Sequence, residues 1–125
     1  MNGEDFPIVI KDLKKEYNKV KALKGVSFKV KTGEVFGFLG PNGAGKSTTL
    51  NILTGILNPS AGDTYIFGEK SSKLSKTTKQ RIGVVFETNN LYKRLTGREN
   101  LNFFADLYNV NSDIVEELLE FFDLS

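Results

Sequence analysis

The chain has 125 residues, a size that supports one small domain with a modest core. Hydrophobic residues at 39% and charged residues at 26% fit a soluble globular composition, and a net charge of +2 gives no general electrostatic case for nucleic acid or membrane lipid. The absence of Cys and His excludes a disulfide framework, a thiolate metal site, and the commonest general base and zinc ligand. The polar stretch Met1 to Pro7 has no apolar signal core, and no apolar run approaches the ~20 residues that cross a bilayer.

In chain order, Ile8-Val9-Ile10 opens a strand expected to run to about Tyr17, with Asn18-Lys19 as a turn. Val26, Phe28 and Val30 alternate with Ser27, Lys29 and Lys31, the period of a half-exposed strand. Lys31-Thr32-Gly33-Glu34 reads as a tight turn into Val35-Phe36-Gly37-Phe38-Leu39, a short apolar run of the buried-strand type. The lysines crowded between Lys11 and Lys31, and again between Lys70 and Lys79, read as solvated faces.

Gly40-Pro41-Asn42-Gly43-Ala44-Gly45-Lys46-Ser47-Thr48 then fits G-x-x-x-x-G-K-[ST], the phosphate-binding loop. Glycines let successive N–H groups turn inward with no side chain blocking an anion. Lys46 adds a mobile charge for the outer phosphates, Ser47 offers a hydroxyl to Mg²⁺, and a following helix directs its positive end at the same place. The four fixed positions arise by chance in roughly 2% of such chains, and with Gly43 in roughly 0.2%, so a plain Gly-rich turn is the weaker account. Thr48 to Thr54 is the expected helix, with Leu50, Leu53 and Thr54 on one face and Gly55 as its stop. Strand, loop and helix stand in the required order.

Asn58 to Gly62 is dense in turn residues, and Thr64-Tyr65-Ile66-Phe67 reads as a strand closed by Gly68. Ser71 to Lys79 is a short exposed helix or a loop. Ile82-Gly83-Val84-Val85-Phe86 repeats the buried-strand pattern and ends at Glu87. Thr96-Gly97-Arg98-Glu99 is a capping box, followed by Leu101, Phe104, Ala105 and Tyr108 at helical spacing. A second helix starts near Ser112 or Asp113, with Ile114, Leu118, Phe121 and Phe122 on one face. Residues 1–90 therefore read as a partial phosphate-binding core and 91–125 as the start of a helical subdomain. Phe121, Phe122 and Leu124 lack evident apolar partners, which suggests a piece of a longer protein.

The ordered series resembles the nucleotide-binding domain of ABC transporters. It runs from Tyr17 through Ala22-Leu23-Lys24-Gly25-Val26-Ser27-Phe28 and Gly33-Glu34-Val35-Phe36-Gly37-Phe38-Leu39 into the loop. It continues through Leu53 to Gly62, Ile82 to Glu87 and Leu95 to Leu101, so it covers essentially the whole chain. The resemblance implies an α/β fold: a P-loop NTPase core with an N-terminal antiparallel β part and an incomplete helical subdomain. It implies ATP and Mg²⁺ as cofactors. Tyr17 takes the slot of the adenine-stacking aromatic, against the plainer reading of a tyrosine ending a strand. The backbone from Gly43 to Ser47 cradles the β-phosphate, Lys46 binds the outer phosphates, Ser47 the metal, and Thr48 the α-phosphate.

Glu87 stands in the slot of the Q-loop glutamine. An ionised carboxylate only accepts hydrogen bonds, whereas an amide also donates, so an acid there suits Mg²⁺ or its water. Some export-type members also carry an acid at this slot. A Walker B reading of Val84-Val85-Phe86-Glu87 conflicts with the family register. The resemblance further implies a transmembrane transporter subunit as partner, met near Thr88 to Leu95 through Leu91 and Tyr92. It implies a second ATP-binding domain, and a position in the cytoplasm on the inner face of the membrane. No signature motif, Walker B aspartate, catalytic glutamate or switch histidine follows in these 125 residues. Hydrolysis by this chain alone is expected to be negligible, and its unpaired strand edge to favour self-association. Rival readings are a soluble P-loop GTPase and a nucleotide-poor half-protein awaiting a complementing chain.

Overall fold

The computed structural model describes residues 5–38, 44–85 and 91–125, and of Ala44 the backbone alone. These fall into two compact units, Met1–Thr78 and Lys79–Ser125.

In the first unit β1 (Ile8–Tyr17) and β2 (Val20–Val30) form an antiparallel hairpin. Its turn residues Asn18 and Lys19 have φ of 43° and 71°, the left-handed pair whose twist matches flanking strands. β3 (Ala61–Ile66) and β4 (Glu69–Lys70) complete a four-stranded sheet of order β2-β1-β3-β4, antiparallel throughout. β2 starts six residues before the alternation at Val26, because pairing with β1 organises its first half.

A bulge at Asp12 bends β1, and the ladders to both neighbours shift register around it. Asp12 has φ 47° and its N–H donates to Ser27 Oγ at 2.8 Å. Glycines flank it on either side. A Cβ on Gly62 would stand 2.2 Å from the Asp12 carbonyl oxygen, and one on Gly25 2.8 Å from Asp12 Oδ1. Both have positive φ, so the bent centre of the sheet requires residues without side chains at these two places.

Helix α1 (Ala44–Leu53) packs on β1, β2 and β3. Thr49, Ile52 and Leu53 are buried, as are Ile10 and Leu13 of β1, while Leu50, expected on the buried face, is 49% exposed. The helix ends as expected at Gly55: its N–H donates to Ile52 O and that of Ile56 to Asn51 O, the paired bonds of a Schellman cap. A short 3₁₀ turn (Ser71–Lys73) and α2 (Lys76–Lys79) follow β4, so the Ser71–Lys79 stretch is partly helical, with Ser71 and Thr78 buried.

The apolar segment 35–38 is not a strand. Val35 is fully exposed, and Phe36 and Phe38 instead lie against Phe28 of β2, with ring centroids at 4.8 and 5.2 Å. Residues 82–85 are likewise without strand pairing, and Val85 is 98% exposed. A run of apolar residues makes a buried strand only where neighbouring strands supply backbone partners, and among the described residues none flanks these segments.

The second unit holds α3 (Gly97–Leu107) and α4 (Asp113–Phe121). The capping box is formed: Thr96 Oγ1 accepts from Glu99 N–H, and Glu99 Oε1 from Thr96 N–H. Ala105, Val115 and Leu119 form its core with Leu101 beside them. This corrects the expected face of α4. Of its two apolar stripes, Val115–Leu119 meets α3, while Ile114, Leu118 and Phe121 are exposed along with Phe122 beyond the helix. Arg98 and Glu116 pair across the two helices.

Candidate functional site

Helix α1 begins at Ala44, four residues ahead of the expected Thr48, and this brings Gly45, Lys46 and Ser47 into its first turn. The first N–H groups of any α-helix lack intrahelical acceptors and carry its positive dipole end. Lys46 is half-buried, Ser47 is exposed and Thr48 is buried at 5%. Thr49 Oγ1 donates back to Gly45 O at 2.7 Å, closing the turn. An ammonium, an exposed serine and a helix N-terminus on one turn are a donor set suited to phosphate with a hard cation. Gly40, Pro41, Asn42, Gly43 and Glu87 lie outside the described residues. Among the described residues no cluster of three or more acids could hold a metal ion.

The first turn of α1 rests against the hairpin. The Cβ position of Gly45 is 3.7 Å from both Ala22 O and Leu23 Cδ2 of β2. Tyr17 ends β1 and pairs with Val20, two residues along β2 from Ala22. Two strand residues and one strand spacing put the tyrosine on the order of 10 Å from that contact. Tyr17 is 41% exposed, with Lys15 Nζ 5.2 Å over its ring. A groove of ≈ 540 Å³ runs beside the hairpin, lined by Lys14, Lys15, Lys21 and Lys24 against a single acid, Glu16. The lysines thus give this flank a positive field.

The structure therefore gathers Lys46, Ser47 and Thr48 on one turn, with Tyr17 on the strand pair that supports it. Two residues escaped the sequence reading. Lys15 was grouped with solvated lysines, although its spacing of two from Tyr17 signals a shared strand face. Asn100, in the first half of α3, is only 5% exposed and holds the loop before that helix. Its Oδ1 accepts from Tyr92 N–H at 2.9 Å, and its Nδ2 donates to the carbonyls of Tyr92, Leu95 and Thr96.

The chain is similar to known proteins of one family. The family model described as ABC transporter matches residues 23–125. The Nod factor export ATP-binding protein I of Burkholderia orbicola (strain AU 1054) is 40% identical over 119 residues, covering 92% of this chain and 39% of that protein. The bacitracin transport ATP-binding protein BcrA of Bacillus licheniformis is 40% identical over 110 residues, or 87% and 36% of the two chains. Among solved structures, an ATP binding subunit of an ABC transporter superposes with a TM-score of 0.81 at 33% identity, over 94% of this chain and 50% of that one. The ATP-binding cassette MJ0796, bound to ADP and Pi in a post-hydrolysis dimer, gives 0.77 at 29% identity, over 90% and 56%.

The chain belongs to the ABC transporter family. Its fold is the P-loop NTPase cassette in part, with the antiparallel β portion and the first helices of the helical subdomain. It spans about two-fifths of the length of the curated relatives it matches. Among the described residues no helix is long and apolar enough to cross a membrane.

Proposed function

We propose that this chain carries the P-loop side of an ATP site in an ABC transporter of the export type, and that the whole protein couples ATP binding and hydrolysis to transport. The observation that carries this is the Gly45–Thr48 turn at the head of α1, braced by the strand pair that bears Tyr17. In this reading residues 1–90 are the partial ATP-binding core and 91–125 the start of the helical subdomain.

Lys46 binds the outer phosphates, the backbone N–H groups of Gly43 to Ser47 serve the β-phosphate, and Thr48 the α-phosphate. Ser47, with Glu87, holds Mg²⁺, which when bound neutralises phosphate charge. Tyr17 stacks on adenine, from the strand pair on which the α1 turn rests. The partners are a transmembrane subunit, met near Leu91 and Tyr92, and a second ATP-binding domain; the place is the cytoplasmic side of a membrane. A single P-loop side binds nucleotide and turns it over negligibly, because phosphoryl transfer needs a positioned water and compensation of transition-state charge from elsewhere.

Calorimetric titration with Mg-ATP tests this. The chain is expected to bind ATP and Lys46→Ala to lose at least tenfold in affinity, about 1.4 kcal/mol or more. Undiminished binding by Lys46→Ala, or brisk hydrolysis by the 125-residue chain, refutes the assignment.

A further inference from the structure

We infer that Lys15 is a positioning residue for the base platform at Tyr17; this rests on the reading of Tyr17 as the adenine-stacking ring. Its Nζ lies 5.2 Å over the Tyr17 ring and donates a 2.7 Å hydrogen bond to Asn58 O. Asn58 belongs to the connector between α1 and β3. The same connector is tied to β1 twice more: Ser60 N–H donates to Lys14 O at 2.9 Å, and Glu16 N–H to Ser60 Oγ at 2.9 Å. Residues 14–16, immediately before Tyr17, are thus fastened to the segment that follows the phosphate-binding helix.

Two consequences follow for the ring. An ammonium anchored on a carbonyl does not wander, so it occupies one face of the tyrosine and leaves the other for a base. Its charge also draws ring electron density toward itself, which favours stacking of an electron-rich purine on the opposite face. The neighbouring Lys14 differs: it pairs with Asp12 at 3.7 Å, and its side chain is half exposed. Lys15 therefore ties the base platform to the connector that follows α1 through one backbone carbonyl.

The test compares ATP with inorganic tripolyphosphate, each with Mg²⁺, by calorimetry on the full chain and on Lys15→Met, Lys15→Arg and Tyr17→Ala. Methionine keeps the apolar stem and removes the charge and donors; arginine keeps both. Lys15→Met is expected to weaken ATP about fivefold, with tripolyphosphate within about twofold, an unchanged melting temperature, and recovery in Lys15→Arg. Tyr17→Ala is expected to weaken ATP about tenfold and to spare tripolyphosphate. Equal losses for both ligands in Lys15→Met would show a general charge or folding effect and overturn the inference. So would an unchanged ATP affinity in Lys15→Met where Tyr17→Ala loses it, while the platform itself would stand. If ATP binds the unaltered chain no better than tripolyphosphate, or Tyr17→Ala does not discriminate, the platform reading fails and the inference with it.

Discussion

Replacing Asn100 by Ala should loosen the second unit by about 2 kcal/mol. The figure comes from following each partner of its side chain. Tyr92 O also accepts from Leu95 N–H at 3.0 Å, and Thr96 O from Asn100 N–H at 2.9 Å, so these carbonyls keep a partner. Tyr92 N–H loses its acceptor and Leu95 O loses the Asn100 donor. Two hydrogen bonds at about 1 kcal/mol each give the estimate, since the loop is exposed enough for water to replace part of what is lost. Asn100→Asp should be worse than Ala despite its similar shape. Its carboxylate would still accept from Tyr92 N–H but would face the carbonyls of Tyr92, Leu95 and Thr96 without donors. Urea denaturation gives the free energies, and amide hydrogen exchange at Tyr92 reports the loop directly. Asn100→Asp as stable as the wild type, or unaltered exchange at Tyr92 in Asn100→Ala, would refute the account of Asn100 as the residue that holds this loop.

Two further outcomes come from the first unit. Gly62→Ala should cost about 3 kcal/mol or more, from its φ of 88° and a Cβ 2.2 Å from Asp12 O. Gly33→Ala should cost only about 1 kcal/mol, because φ is 79° but nothing lies within 4 Å of its Cβ; thermal melts that rank the two the other way would sink the bulge argument. Hydrogen bonds from Thr78 and then Ser75 hold the Glu69 carboxyl below its ordinary value, against partial desolvation. A depressed carboxyl stabilises the fold above its unfolded pKa, and that contribution disappears as pH falls through the folded value. Thr78→Val should therefore flatten the decline of melting temperature from about pH 5 to about pH 3; parallel curves for the two proteins would show that this hydrogen bond does not set the acid limb.

What the sequence made legible was mostly what closes over a few residues. The Asn18-Lys19 turn, the Gly55 stop and the Thr96 capping box each complete their hydrogen bonds or backbone geometry locally, so residue type alone announces them. The bulge at Asp12 was not legible, because the glycines that permit it sit 13 and 50 residues away at Gly25 and Gly62, on different strands. Lys15 was hidden for a related reason: its partner is a backbone carbonyl at Asn58, 43 residues on, and a backbone atom leaves no mark in the sequence.

The apolar runs at 35–38 and 82–85 bear on the candidate site more closely. Their composition encodes burial on both faces, yet Val35 and Val85 are almost wholly in water. Apolar area of this kind contributes roughly 25 cal/mol per Å² only when it is removed from solvent, so Val35 and Val85 add nothing, whereas Phe36 and Phe38 contribute through their contacts with Phe28. The centre of the sheet and of α1 is closed all the same: Leu13, Ile10, Ile52 and Thr49 are each at least 98% buried. The turn bearing Lys46, Ser47 and Thr48 and the strand bearing Tyr17 are therefore supported by the same closed core, and their relative placement is set by the contact of Gly45 with Ala22 and Leu23. That is why binding of phosphate and stacking of a base can be tested in this chain by itself.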